Sequence, residues 1–357
     1  MSSDEPKDFA DSISERTDRR RIAWQTAWLV IAILVVWAVG LGVVDRSRPE
    51  AGSVSFQTSP SARVERRPAL FAITWNRSGA NAGPGTIGVA TPIALVEPGG
   101  AIVAPITART DEDALAEGRA FASTYCKPST GLMLLRGGAA AGDVRFVGDP
   151  TMVGSVPVVP VAGSGPLDLG PLDVETTAVL AISDRRFAGR STGVRPMRDE
   201  HRSAVDAATR QILRDRYPTR VAVEEGLARV RVADLDRDGR TEILASREVR
   251  LRDESGGFER VVVFVISEPD RSLSAAKPGY RVVFVGLQLF RDAGPAADIV
   301  FIDQADLTAA EFDEVIVRLD DGETSRYAIL RRDQTTWTQV SSTRPMRQPS
   351  LPSLSSE

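Results

Sequence analysis

The chain is poor in the residues that most metal-dependent hydrolases and cross-linked proteins rely on. Of 357 residues, one is cysteine and one is histidine. A lone Cys126 excludes an intramolecular disulfide in any compartment. A lone His201 excludes a site built on two histidines, and any Ser-His-Asp or Cys-His arrangement would have to recruit this one ring. His201 lies between Glu200 and Arg202 at the start of a helical pattern, which reads as an exposed helix opening. Cys126 closes a short helical pattern before Lys127 and Pro128 and reads as a small buried hydrophobe. Charge of neither sign dominates, with 44 Lys and Arg against 48 Asp and Glu, a formal net charge of −4. No basic stripe is interleaved with aromatics, so nucleic acid is not an expected partner.

Long hydrophobic runs are also scarce. One alone has the length of a bilayer span: Ile22 to Val44, 23 residues without a charge. Arg16 and Arg19–Arg21 precede it, which predicts a cytoplasmic N-terminus. The run is too long for a signal-peptide core, and no small-x-small pattern follows it at Val44–Arg46. The expectation is a single-pass signal-anchor protein in the cell membrane. Its bilayer contact would run through Ile22–Val44, with residues 45–357 outside the cytoplasm.

The rest of the chain is read as follows. Residues 1–21 are a disordered cytoplasmic tail, 22–44 the transmembrane helix and 45–67 a flexible stalk rich in Ser, Arg and Pro. Residues 68–198 form a mixed α/β domain outside the membrane. Its strand candidates are ALFAITW and TIGVATPIALVE, its helix is Asp111–Tyr125, and GLMLLRGG and DVRFVGD make a hairpin. The Pro- and Gly-rich stretch 148–172 reads as edge strands and loops. Residues 199–343 hold a helix, His201–Tyr217, followed by antiparallel strands with turns at Ser255–Gly257 and Asp321–Gly322. Residues 344–357 are a disordered tail. The fold class expected is α+β: a single N-terminal transmembrane helix, a mixed strand/helix domain and a mainly antiparallel β domain.

Residues 234–242, DLDRDGRTE, are the sharpest chemical feature. Asp234, Asp236 and Asp238 alternate, so their carboxylates can converge in a looped backbone. Gly239 permits the turn, Arg240 can offer its carbonyl, and Glu242 supplies a fourth carboxylate. Hard anionic oxygens suit Ca²⁺, and clustered carboxylates repel one another without a cation or open solvent. The bland alternative is an acidic turn without metal. The loop is not an EF-hand, because the twelfth position is Ala245 and both flanks read as strands.

Strand, Asp-x-Asp-x-Asp-Gly-x-x-Glu, strand resembles the FG-GAP/VCBS-type repeats of integrin-like β-propellers. The match is carried by Asp234, Asp236, Asp238, Gly239 and Glu242 and the apolar Ile243 and Leu244. The resemblance implies a structural Ca²⁺ site and a role in adhesion or ligand recognition. It covers residues 234–244 well. Residues 306–316, DLTAAEFDEVI, align with it without a gap, 72 positions on, as a degenerate copy that keeps Asp306, Leu307 and Glu314 and loses the central acids. The function expected is a membrane-anchored binding or scaffold protein outside the cytoplasm, with a protein partner in the envelope and more readily non-enzymatic than enzymatic. The alternatives are an envelope hydrolase with a site between the two outer domains and an accessory subunit of a membrane complex.

Overall fold

In the computed structural model the described residues are 66–75, 87–165, 167, 178–187, 195–270, 272, 279–291 and 297–347. They fall within one compact unit, Glu65–Glu357.

The first part is a closed ring of antiparallel strands. It is built from β1 (Ala69–Trp75), β2 (Ile87–Val96), β4 (Gly131–Arg136), β5 (Ala139–Phe146), β7 (Val156–Gly163) and β8 (Ala178–Ile182). The pairing runs β2-β1-β8-β4-β5-β7 and returns to β2 through Ile87–Ala90 against Val159–Ala162. Closure leaves no free edge on the ring. Two short strands, β3 (Ile102–Val103) and β6 (Thr151–Val153), extend β2 and β7. Side chains alternate across β1: Phe71 and Ile73 join one apolar cluster with Leu134, Phe146 and Val161, whereas Leu70 and Ala72 join another. Phe71 meets Phe146 and Phe121 edge-on, with centroids 5.6 and 6.0 Å apart.

Phe121 belongs to α1 (Asp111–Tyr125). Thr110 caps this helix by accepting from the Asp113 amide at 3.2 Å, and Asp111, Glu112 and Asp113 lie at the positive end of its dipole. Gly118 lets α1 approach the β6–β7 turn: a Cβ there would lie 1.9 Å from the Ser155 carbonyl oxygen.

After a 3₁₀ turn at Arg185–Phe187 and helix α2 (Asp199–Arg216), two antiparallel sheets follow. The first orders β10 (Arg229–Ala233), β11 (Glu242–Arg252), β12 (Phe258–Pro269) and β13 (Tyr280–Arg291), with β9 (Val221–Glu225) beside the far end of β11. The second orders β14 (Asp298–Ala305), β15 (Glu314–Asp320), β16 (Thr324–Asp333) and β17 (Thr336–Ser342), with β18 (Met346–Arg347) beside β16. Alternation decides the layering. Val262, Phe264 and Ile266 of β12 meet Val315, Val317 and Leu330 of the second sheet. Val261, Val263 and Val265 face the side covered by Val205 and Leu213 of α2. Ile316, Tyr327 and Ile329 pack instead with Leu70, Leu180 and Ile182 of the ring. The order of layers is ring, second sheet, first sheet, α2.

Several expectations need correction. The α+β class gives way to a mainly β fold. Eighteen strands and two α-helices are present among the described residues, because nearly every short apolar run finds an antiparallel neighbour and only two segments carry a 3.6-residue period. No helix among the described residues is long and apolar enough to cross a membrane. Helix α1 opens with three acids and α2 carries charges along its length. Ile22–Val44 lies outside the described residues. The transmembrane, single-pass membrane placement, with residues 45–357 outside the cytoplasm, therefore has no described helix to rest on and is set aside. Within 148–172, Val156–Gly163 is not an edge but a strand with three neighbours. Its Pro160 cannot donate, yet its carbonyl accepts from the Val147 amide at 3.0 Å.

Gly118→Ala drives a methyl into fixed backbone and is expected to lower stability by about 1–3 kcal/mol. Gly131→Ala, whose Cβ would meet nothing within 4 Å, is expected to change little. Equilibrium urea unfolding of both variants checks this.

Candidate cation site in paired acidic loops

The acidic loop connects neighbouring strands β10 and β11, which pair from Arg229–Ser246 to Ala233–Glu242. Two residues adopt the left-handed conformation within it, Arg237 at φ 59° and Gly239 at φ 83°. The side chains hold their own turns: Asp236 accepts from the Asp238 amide at 3.2 Å, Asp238 from the Arg240 amide at 2.8 Å, and Asp234 from the Gly239 amide at 3.3 Å. Glu242 accepts from the Leu235 amide at 2.6 Å, clamping the start of the loop to its end.

The expected ligands divide into two groups. Asp234, Asp236 and Glu242 converge, with one carboxylate oxygen from each lying within 4.8 Å of the others. Asp234 and Glu242 are buried and Asp236 is half-buried. Asp238 and Arg240 are exposed and stand outside this cluster of three. Burial pushes the Glu242 carboxyl up to about 8, helped by the charges of Asp236, Asp234 and Asp238 and opposed by the Leu235 amide. Asp234 also receives Arg195 Nη2 at 3.0 Å.

The segment 306–316 repeats this frame. It connects β14 to β15, also antiparallel neighbours. Leu307 donates its amide to Glu314 at 2.8 Å, as Leu235 does to Glu242. Ala309, at the position of Arg237, is again left-handed at φ 56°. The chemistry inside the frame differs. Where Asp236 faces Glu242, the second loop has Thr308, whose hydroxyl donates to Glu314 at 2.7 Å. Arg331 Nε adds a second donor to the same oxygen at 2.9 Å. Both donors favour an ionised Glu314, although burial still raises its pKa overall.

The two loops touch. The Asp313 amide donates to the Leu235 carbonyl at 2.8 Å. Arg237 reaches out of the first loop to Asp313 at 3.0 Å, Asp306 at 3.2 Å and the Ala310 carbonyl at 3.2 Å. Asp306 and Asp313 are almost wholly buried, so a guanidinium serves the second loop as its cation. Sequence reasoning found the frame but not Arg195, Arg237, Asp313 or Arg331. Arg237 and Asp313 occupy variable positions of the two aligned segments, and Arg195 and Arg331 lie outside them. The adjacent acids Asp313–Glu314 beside an apolar strand were the available signal.

The other titratable residues singled out in the sequence have structural duties. His201 is buried rather than exposed; its Nδ1 accepts from the Arg198 amide at 3.0 Å in a capping box, and its ring meets Tyr280 edge-on. Burial lowers its pKa. Cys126 is buried, and burial pushes its thiol up to about 12.

Two outcomes are expected. Arg237→Met leaves Asp306 and Asp313 without this guanidinium and should cost roughly 3–5 kcal/mol, with partial recovery in Arg237→Met/Asp306→Asn. The second concerns pH. The Glu242 carboxyl binds its proton more tightly folded, near 8, than unfolded, near 4.5. In EDTA its contribution is therefore fully present below pH 4.5 and lost as pH rises through 8, with a slope of up to about 1.4 kcal/mol per pH unit. Glu242→Gln should remove that part of the slope. Urea unfolding between pH 5 and 8 measures it.

Set beside family models, curated proteins and solved structures, the chain matches none of them, and the FG-GAP/VCBS resemblance remains one of loop and flanking strands.

Proposed function

We propose that this chain is a non-catalytic β-sheet binding or scaffold protein stabilised by a Ca²⁺ ion in the loop between β10 and β11. The observation that carries this reading is the contrast between two loops that share the same leucine-amide-to-glutamate clamp. In the second loop the buried glutamate accepts from the Thr308 hydroxyl and is paired with the Arg331 guanidinium. In the first, the equivalent Glu242 faces Asp234 and Asp236 at ligand spacing. Converging carboxylates in a buried setting stabilise a hard divalent cation and are destabilised without one. Asp234, Asp236 and Glu242 would supply the anionic oxygens, with Asp238 and the Arg240 carbonyl completing the shell from the exposed side. The ion would fix the strand crossing and, through Arg237, the contact between the two sheets. His201 and Cys126, the natural base and nucleophile, are committed to a helix cap and to the core, which supports binding over catalysis.

Millimolar Ca²⁺ is expected to raise the melting temperature relative to EDTA. At a hundred times the dissociation constant the gain is about 2.7 kcal/mol. Asp236→Ala should abolish most of it. Thr308→Ala should lower stability in both conditions and leave the Ca²⁺ gain intact. An unchanged melting temperature and no heat of binding would leave only the bare acidic turn.

A further inference from the structure

His201 is the one imidazole of the chain, and it sits where a proton would undo a helix start. It is the third residue of α2, 3% exposed, and heads the buried stripe His201, Val205, Thr209 and Leu213. Its Nδ1 accepts the amide of Arg198, the N-cap residue, at 3.0 Å. An arginine side chain has no acceptor, so Arg198 cannot cap the helix with its own side chain. The hydrogen bond comes back from the third residue instead, where a capping box places it. The ring then meets Tyr280, the first residue of β13, edge-on with centroids 5.7 Å apart.

This geometry fixes the protonation state. Accepting at Nδ1 leaves the single proton of the neutral ring on Nε2. A second proton has only Nδ1 to go to, and there it takes the lone pair that holds the Arg198 amide. The resulting cation would be buried and would stand at the positive end of the helix dipole. Burial lowers the pKa of the ring; Glu200 opposes that and Arg198 adds to it.

The surrounding charges do little to rescue an imidazolium. On its own helix Asp199, Glu200 and Arg202 are exposed, and Glu200 Oε1 lies 3.8 Å from Nε2. From the sheet, β13 offers the Tyr280 ring, and its Arg281 alternates to the other face and is paired with Glu268. Strands β10 and β12 turn apolar residues toward α2, Val230 and Val265 among them. Arg247 of β11 is committed to Asp206 and Glu225. The β10–β11 loop reaches Tyr280 through the Thr241 hydroxyl, and the Glu242 charge acts on Tyr280.

We propose that His201 is an acid-released latch: proton uptake at Nδ1 breaks the α2 cap and frees the first turn of the helix from β13, while Val205 and Leu213 keep the rest of α2 on its sheet. The latch does not depend on the cation. Its sign follows from the ring. The folded ring binds a proton more weakly than a free one, near 6.5, so the latch is fully present above pH 6.5 and lost as pH falls through the folded value.

Nitrogen NMR of the full chain labelled in histidine reads this one ring. At about pH 7.5 the expected state is Nε2 protonated and Nδ1 bare, titrating with a midpoint below 6.5. Hydrogen exchange of residues 198–203, corrected for intrinsic rates, should rise by up to about tenfold per pH unit as pH falls from 6.5 to that midpoint. Exchange around Leu213 should not follow. His201→Gln offers an amide oxygen to the same cap and cannot titrate, so the rise should disappear. The ring titration and the exchange are both read on the unaltered protein, so a poorly folding variant does not decide the matter. A proton on Nδ1 at about pH 7.5, a midpoint at or above 6.5, exchange at 198–203 that ignores the ring titration, or an equal rise in a folded His201→Gln would each overturn the proposal. The same profile is expected in Ca²⁺ and in EDTA. A rise confined to EDTA would belong to the acidic loop and overturn the latch, whereas an intact latch without a Ca²⁺ melting gain removes only the cation.

Discussion

Carboxylates buried at a strand crossing must be neutralised, and the arrangement of the two sheets follows from how that is done. Each sheet begins with the same device: a glutamate at the start of the second strand accepts the amide of a leucine seven residues earlier. The clamp sets the loop and fixes the register of the two strands it joins. It also takes a carboxylate out of water, a cost that only donors or cations offset. The second loop meets that cost with protein groups, Thr308 and Arg331 on Glu314 and Arg237 on Asp306 and Asp313. The first loop sets acids against Glu242 instead. The same clamp is thus met by three aspartates in one loop and by Thr308 with arginines in the other.

The clamp also links the layers. Arg237 leaves the first loop in a left-handed backbone conformation and ends among the acids of the second. The Asp313 amide returns a hydrogen bond to Leu235. The two loops are therefore joined by hydrogen bonds and ion pairs in both directions. Beneath that joint lie the apolar layers, in which β15 and β16 are buried on both faces, one toward the ring and one toward β12. A strand buried on both faces cannot slip by one residue without exchanging its two sets of contacts.

Much of this was legible from the sequence. Strand β1 and helix α1 were found at their true limits because ALFAITW is a continuous apolar run and Asp111–Tyr125 carries a clean helical stripe with acids at its start. The acidic loop stood out because carboxylate spacing and a turn glycine are local properties, and the segment 306–316 because it aligns with the loop without a gap. What the sequence hid was non-local. Ring closure through β2 and β7 depends on pairing between residues some seventy positions apart, and Val156–Gly163, dotted with prolines, looked like an edge. The arginines that neutralise the acids reach them across the fold. The burial of His201 was missed because Glu200 and Arg202 beside it are polar, while its own ring turns inward toward Tyr280.

Counting Ca²⁺ ions is the most direct test of the idea that the first loop takes a metal where the second takes arginine. Equilibrium titration calorimetry on the full chain should give one Ca²⁺ per chain, lost in Asp236→Ala and retained in Thr308→Ala. No bound Ca²⁺, or a second ion disappearing with Asp306→Asn, would contradict it.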